Sequence, residues 1–130
     1  MKLLILLVTA GLIPAAAGGK VTFVEHGVFT HPGDKGTWAM TGAIVDRGTY
    51  VRVCVDCSSG VGNLVDLRAT YKGKRGTFVL VLHVRPARTS WSLLSGTRSY
   101  SGLHGKGTCV GKVIVNEVSL RSRCTGVMTR

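Results

Sequence analysis

The stretch TCVGKVIVNEVSLRSRCT, residues 108–125, contains two runs of strand-forming residues on either side of Asn116-Glu117. This is the pattern of a β-hairpin with a two-residue turn. In the register that such a turn sets, Cys109 lies directly opposite Cys124. Directly opposed residues of an antiparallel pair are ~4.5–5.5 Å apart at Cα, which overlaps the range that a disulfide tolerates. The sequence therefore predicts a buried cross-strand disulfide in this hairpin.

The same register assigns the other side chains to the two faces of the hairpin. Val113 and Leu120 share the face of the two cysteines. On the other face Lys112 lies opposite Arg121, with Arg123 next to it. Like charges directly opposite each other are mildly destabilising unless an anion lies between them. Lys112, Arg121 and Arg123 are therefore candidates for an anion-binding surface, although a solvated basic face is the simpler interpretation.

Cys54 and Cys57 are left to form a second bridge. An even number of cysteines in a small exported domain is typical of a disulfide framework. A redox-active CxxC needs a helix N-terminus to lower the thiol pKa, and this one follows a valine-rich run instead. Zinc ligands usually come in closely spaced pairs, whereas the other two cysteines are far apart in the sequence. We predict a structural Cys54–Cys57 disulfide, and neither a metal nor a cofactor.

Residues 1–17 have the composition of a signal peptide. A lysine follows Met1, an apolar run extends to residue 13, and Pro14 is followed by three alanines. Small residues at this point suit signal peptidase, and the apolar run is far shorter than the ~20 residues of a membrane-spanning helix. We predict a signal-peptide helix over 1–17, cleavage after Ala17, and a secreted, extracellular domain over 18–130.

The rest of the chain is a series of short strand-like runs separated by glycine-containing turns. Alternation is clearest where Val51, Val53 and Val55 alternate with Tyr50 and Arg52. Turn signals recur roughly every 8–12 residues without helical periodicity, which is typical of a β-barrel or sandwich. We predict an all-β fold, a single antiparallel barrel of about eight strands, with a sandwich as the alternative. The predicted strands are residues 20–30, 36–45, 49–55, 61–71, 77–84, 89–94, 108–115 and 118–125.

Some of these runs also predict where turns and inward-facing residues lie. A turn is expected at residues 46–48, where Asp, Arg and Gly follow one another. In the fourth run, Leu67, Ala69 and Tyr71 share one face, which we expect to point inward. Nearly every residue over 77–84 is apolar, which favours a central strand or one lining a packed barrel.

The sequence has 17 lysines and arginines against 6 acidic residues, a formal net charge of +11. Such an excess favours polyanionic partners, here an anionic envelope polymer or an anionic membrane surface. Aromatic residues are not interleaved with the basic ones as stacking platforms would be, so we expect no sequence-specific nucleic-acid binding. The basic candidates around one predicted hairpin are Arg68, Lys72, Lys74 and Arg75.

Three segments resemble a known family. The stretch WSLLSGTRSYSGLHGKGT, residues 91–108, resembles the GTGxYxGLxGxGT segment of secreted, mostly actinobacterial proteins similar to allene oxide cyclase and dirigent barrels. GAIVDRGT, residues 42–49, resembles the GAIxDxGT segment of the same group, and residues 76–80 resemble its central strand. The resemblance implies an eight-stranded antiparallel barrel with a lumen that is packed or holds an apolar small molecule. It brings no catalytic residue onto this chain.

The physics of the glycine-rich segment is structural. Large side chains pack, and glycines permit tight turns and close approach of strands. A phosphate-binding loop is excluded because no helix follows and the P-loop motif is missing. The sequence departs from the family pattern at Arg98, where a small residue is usual, and at His104. The residues that we assign to this structural motif are Trp91, Gly96, Tyr100, Gly102, Gly105 and Gly107.

His83 is the candidate for acid–base chemistry. It lies among Val81, Leu82 and Val84, so we expect a buried or lumen-facing imidazole with a hydrogen-bond partner. If the barrel has an open lumen, such a histidine becomes a catalytic candidate.

Three hypotheses for function follow. The first is a non-enzymatic binding protein for an apolar small molecule or a polyanionic envelope component. The second is an extracellular isomerase or cyclase of the dirigent type that uses the lumen, and the third is a basic secreted toxin or antimicrobial domain. The lumen distinguishes the first two, because an apolar cavity with His83 or other polar groups favours the isomerase. A fully packed interior would leave surface binding.

Overall fold

The structure is a computed structural model that describes residues 18–30, 33–57, 65–114 and 119–130. In most strands, buried and exposed residues alternate. A 3-10 turn, Arg98–Tyr100, precedes the seventh strand. The strands are β1 (Gly19–Thr30), β2 (Gly33–Gly42), β3 (Asp46–Asp56), β4 (Val65–Gly73), β5 (Thr77–Val84), β6 (Thr89–Gly96), β7 (His104–Ile114) and β8 (Ser119–Thr129).

The sheet closes on itself. Each strand pairs antiparallel with the next, and β1 pairs with β8 along a seam from Gly19–Met128 to Val28–Ser119. The prediction of an all-β, eight-stranded antiparallel barrel is therefore confirmed. Closure removes the free strand edges that an open sheet would present. The predicted signal peptide, residues 1–17, lies outside the described residues.

The hairpin register read from residues 108–125 is confirmed. Cys109 lies opposite Cys124 and Lys112 opposite Arg121. The structure joins Cys109 to Cys124, whose Cα atoms are 4.0 Å apart, and Cys54 to Cys57, whose Cα atoms are 5.9 Å apart. Two such pairs are consistent with an extracellular or oxidising environment. The turn expected at residues 116–117 lies outside the described residues.

The connection between β2 and β3 differs from the prediction. The turn expected at residues 46–48 is wrong, because Asp46 already pairs with Met40 at the start of β3. The chain reverses at residues 43–45 instead, after Gly42 at a φ of +104°, which other residues rarely adopt. Asp and Gly are common in turns, but here Asp46 and Gly48 occupy inward-facing strand positions.

Aromatic rings fill one part of the lumen. All but one of the aromatic residues are buried. The Tyr71 ring stacks on Phe78 at 4.7 Å and on Tyr50 at 5.7 Å between centroids. Its edge contacts involve Phe23 at 5.7 Å and Trp38 at 5.8 Å. The inward orientation predicted for Tyr71 is therefore confirmed, and this residue is the centre of the aromatic packing.

Trp91 occupies space that side chains of β7 and β8 would otherwise fill. A Cβ atom at Gly107 would lie 2.6 Å from Trp91 Nε1, and one at Gly126 would lie 2.5 Å from Trp91 Cζ2. The indole N–H donates a hydrogen bond to the Thr125 carbonyl oxygen at 3.3 Å. Close approach to the indole thus accounts for glycine at position 107 of the segment that begins at Trp91.

Asp46 closes the end of the barrel at which β3 begins. Its Oδ2 accepts hydrogen bonds from the Tyr100 hydroxyl at 2.6 Å and the Arg75 N–H at 3.2 Å. Its Oδ1 accepts from the Arg47 N–H at 2.8 Å and the Lys74 N–H at 2.9 Å. Burial of the carboxyl raises its pKa, but these hydrogen bonds outweigh that effect and hold the pKa below its usual value.

We expect Asp46→Asn to lower the free energy of unfolding at neutral pH by about 1–3 kcal/mol, because the charge that these donors bind is removed. Since the folded-state pKa is depressed, the stabilisation is present above the unfolded-state pKa of ~3.9 and is lost as the pH falls through the folded-state pKa. Urea unfolding at a series of pH values measures this. A difference between wild type and variant that is the same at neutral pH and at about pH 2 would contradict the assignment.

Candidate functional site

Charged residues replace the aromatic rings in another part of the lumen. On β3 the inward-facing residue after Tyr50 is Arg52, and the valines of this strand face solvent. The alternation seen in the sequence is thus present with the valines outside. Glu25 of β1 and Asp34 of β2 also point inward. Glu25 is 0% exposed, Asp34 4% and Arg52 6%, so three ionisable groups share the barrel interior.

These groups form one connected cluster. The Arg52 guanidinium forms an ion pair with Glu25, and its Nε lies 3.6 Å from Asp34 Oδ1. The Tyr50 hydroxyl donates a hydrogen bond to Asp34 Oδ2 at 2.7 Å. The Ser122 hydroxyl donates to Glu25 Oε1 at 3.1 Å. We call Glu25, Asp34 and Arg52 the charged cluster.

Burial shifts the titration of this region. Burial raises the pKa of Glu25, and the Arg52 guanidinium offsets only part of that effect. Burial, and then the hydrogen bond to the Asp34 carboxylate, raise the pKa of Tyr50. Burial also holds the pKa of Tyr71 well above its usual value. Both phenols therefore stay protonated at neutral pH. The charged cluster contains one guanidinium and two carboxyl groups.

A cavity of about 250 Å³ adjoins the charged cluster, near the end of β1 and the start of β8. The residues with polar side chains that line it are Asp34, Arg52, Thr89 and Ser122. Its walls are mostly apolar and include Phe29, Leu67, Leu82, Val84, Cys109, Gly111 and Leu120. We call this space the lumen cavity. Apolar walls with a few converging polar groups are typical of small-molecule sites.

The cluster contains a buried donor without a hydrogen-bond partner. Within the described part of the chain, Arg52 Nε and the Tyr71 hydroxyl are buried without a hydrogen-bond partner. Buried polar groups are normally paired, because leaving one unpaired costs about 1–3 kcal/mol. Arg52 and Asp34 both line the cavity, so a guanidinium and a carboxylate lie at its wall and supply a donor and an acceptor for a polar group that enters.

His83 does not belong to this site. The inward-facing residues at the start and middle of β5 are Phe78, Leu80 and Leu82, so alternation turns His83 outward. Its side chain is 42% exposed, and its Nδ1 is hydrogen-bonded to Asp66 Oδ1 at 2.9 Å. The expectation of a buried or lumen-facing imidazole is wrong, although the expected hydrogen-bond partner is present. Because nearly all residues of this strand are apolar, the sequence does not show which of them alternate inward, and so it does not show that His83 faces outward.

The predicted basic residues lie on the outer wall. Those with described side chains are all exposed: Arg68, Lys72, Lys74, Arg75, Arg121 and Arg123. For Lys112 the structure gives the backbone position, opposite Arg121 as predicted. Arg75 also has a structural contact, since its Nε–H donates to the Val45 carbonyl oxygen at 2.8 Å. Sequence reasoning missed Arg47, because it was assigned to a turn, and it missed the outward-facing His26.

Two further findings concern the described ranges alone. They contain no helix that is long and apolar enough to span a membrane. They also bring together no group of three or more His, Cys, Asp or Glu side chains that could hold a metal ion.

Comparisons with known proteins give no relative. No family model matches the chain, and neither the curated proteins nor the solved structures compared with it contain a match. The resemblance to allene oxide cyclase and dirigent barrels therefore rests on the sequence segments that carry it.

We expect Arg52→Met to destabilise the fold by about 3–5 kcal/mol, because Glu25 and Asp34 would remain buried without their cation. Adding Glu25→Gln to this variant should recover part of the loss by removing one of the two carboxyl charges. The matched control is Arg68→Met on the outer face of β4, which should change stability by less than about 0.5 kcal/mol. Guanidinium unfolding measures all three. Equal effects of Arg52→Met and Arg68→Met would contradict the burial of the charged cluster.

Proposed function

We propose that this protein is a secreted, non-enzymatic binding protein that holds an apolar small molecule in its lumen cavity. The observation that carries the proposal is the apolar cavity of about 250 Å³ bordered by the buried side chains of Asp34 and Arg52. Apolar walls provide affinity through burial, and a few polar groups orient the ligand.

The charged cluster supports a binding role because folding alone does not require it. Replacing a buried ion pair by well-packed apolar residues is often neutral or stabilising. The neighbouring part of the same lumen, around Tyr71, is filled by stacked and edge-on rings. A departure from apolar packing beside a cavity is expected at functional sites rather than at purely structural ones.

The charge of the cluster narrows the class of ligand. The cluster places two carboxyl groups around one guanidinium, so Arg52 is already engaged by Glu25 and Asp34 and offers no free cation to a ligand carboxylate. A neutral hydroxyl or carbonyl group can instead accept from the Arg52 guanidinium, and a hydroxyl can also donate to Asp34. We therefore propose a compact apolar molecule with one hydroxyl or carbonyl group.

The location outside the cell has separate support. Residues 1–17 have the pattern of a cleaved signal peptide. The two disulfides are consistent with an oxidising compartment. The resemblance of residues 91–108 to secreted barrel proteins points the same way.

A second candidate is an isomerase or cyclase that acts on a ligand in the lumen cavity. It is favoured by one observation, that a carboxyl group and a guanidinium line an otherwise apolar cavity. Such groups can stabilise charge that develops in a reacting ligand. Turnover of a bound ligand, detected by chromatography after incubation, would separate this candidate from simple binding.

2-Naphthol is a suitable probe, because it combines a rigid apolar ring system with one hydroxyl. We expect its intrinsic fluorescence to report a dissociation constant on the order of 100 μM. Gly111→Phe should weaken binding at least about tenfold. A Cβ atom added at Gly111 would lie 3.8 Å from the inward-facing Leu120 and Ser122, an ordinary van der Waals distance, so the substitution fits without a clash. The new ring would then occupy the cavity.

The control is Val110→Phe, which adds the same ring on the outer face of β7, where Val110 is 77% exposed. It should leave naphthol binding unchanged, and the carboxylate analogue 2-naphthoate should bind wild type more weakly than 2-naphthol does. The proposal fails if wild type binds no naphthol, or if the two phenylalanine variants bind it equally well.

A further inference from the structure

The outer wall of the barrel has two adjoining depressions, the smaller of which shares Gly111 and Ser122 with the lining of the lumen cavity. The larger, of about 590 Å³, lies on β1, β2, β3 and β4, and the smaller, of about 260 Å³, lies on β7, β8 and β1. Both are lined by Val24 and His26. The two depressions therefore adjoin at Val24 and His26, and together we call them the basic track.

Strand pairing fixes the residues that line the basic track. One cross-strand row runs Arg121, His26, Thr37, Thr49 and Lys72, from β8 through β1, β2 and β3 to β4. The next row runs Arg123, Val24, Ala39 and Arg47. Neighbouring strands are ~4.8 Å apart, so the first row extends ~19 Å along the wall. The basic residues lie toward the two ends of these rows, with small side chains between them.

The cations of the track are exposed and free of carboxylates. They are Arg47, Lys72, Lys74, Arg121 and Arg123. The ion pairs seen among the described residues involve Arg52, His83 and Arg85, and these five cations are in none of them. Glu25 borders the smaller depression, but it is fully buried and paired with Arg52. Asp46 lies beside Arg47 and Lys74, but it is buried and accepts hydrogen bonds from their backbone N–H groups, so the charged ends of the five side chains face outward.

The shape of the track favours a linear partner. Thr37, Ala39 and Thr49 line the larger depression between its basic residues. A depression with small side chains accommodates a flexible chain better than a flat bilayer. Trp38 also borders the track but is only 2% exposed, so it offers no ring on which a nucleobase could stack. Recognition must therefore come from charge and hydrogen-bond donors, the groups that contact phosphates irrespective of sequence.

We propose that the basic track binds a linear phosphodiester polymer through its phosphate groups. Arginine and lysine side chains supply charge-assisted hydrogen bonds. The threonine hydroxyls of the larger depression add neutral donors. Binding of this kind releases counterions, so the affinity falls steeply with salt and does not depend on the groups attached to the backbone.

The probe is a fluorescein-labelled abasic oligodeoxyribonucleotide, which is a phosphodiester chain without bases. Fluorescence anisotropy at several salt concentrations gives its affinity for the purified protein. We expect the logarithm of the affinity to fall linearly with the logarithm of the salt concentration. An oligonucleotide of the same length with bases should bind with similar affinity.

Two matched variants test the location. The track variant is Arg47→Gln/Lys72→Gln/Lys74→Gln, and the control is Lys20→Gln/Arg88→Gln/Lys106→Gln, whose residues are exposed and outside the track. Each replaces one arginine and two lysines, so the change in net charge is identical. The track variant should lose at least about tenfold in affinity, and its salt slope should fall by about 2, as expected for three lost contacts with a single strand. The control should change affinity less than about twofold, since long-range attraction is screened at physiological salt.

Several results would overturn the proposal. Equal losses in the two variants would mean attraction by net charge alone. Equally tight binding of polyglutamate would remove the preference for phosphate, and binding more than about tenfold tighter with bases present would mean nucleobase recognition. Binding of phosphatidylglycerol vesicles without binding of the abasic chain would identify a membrane surface instead. If circular dichroism shows that the track variant is unfolded, Arg121→Gln/Arg123→Gln, at the other end of the track, replaces it with the same expected direction of change.

Discussion

Pairing of β1 with β8 is the constraint on which the rest of the structure depends. Once the sheet is closed, each strand residue points either into the lumen or out to the surface. This division separates the charges of the chain. Glu25, Asp34 and Asp46 are buried, whereas Arg52 is the one buried cation among the lysines and arginines with described burial. The outer wall is consequently more basic than the composition alone would suggest. The basic track is one part of this wall.

The lumen itself is divided in two. Around Tyr71 the inward-facing residues are aromatic, and offset or edge-on rings pack at separations that favour them. Near the charged cluster the same barrel leaves a cavity and an unpaired donor on Arg52. The carboxylate of Asp46 differs from the charged cluster. It accepts hydrogen bonds from Tyr100 and three backbone N–H groups, so its hydrogen-bonding capacity is filled within the protein. One buried carboxylate is thus satisfied within the fold, while the charged cluster borders a cavity.

The parts of the fold that depend on local sequence could be predicted. The register of Cys109 with Cys124 follows from the turn position, and β5 has the predicted bounds because a turn and a proline flank its apolar run. The direction in which a strand faces could not always be predicted, because alternation gives a period but not a phase. On β3 the tyrosine points inward, and its hydroxyl occupies space that a Cβ atom at Gly27 of β1 would fill. That contact is between residues distant in sequence, and it also places Arg52 inside. The sequence therefore predicts a barrel whose lumen is either packed or open, and it does not identify the charged residues that line the lumen cavity.

Carboxyl labelling with a carbodiimide and an amine tag, read by mass spectrometry, tests the separation of charges most directly. In the folded protein Glu25, Asp34 and Asp46 should remain unlabelled while the exposed Asp56 reacts. All four should become labelled after reduction and unfolding in guanidinium. Labelling of Glu25 or Asp34 in the folded protein at the rate of Asp56 would contradict the account, because it would place those carboxylates outside the closed barrel.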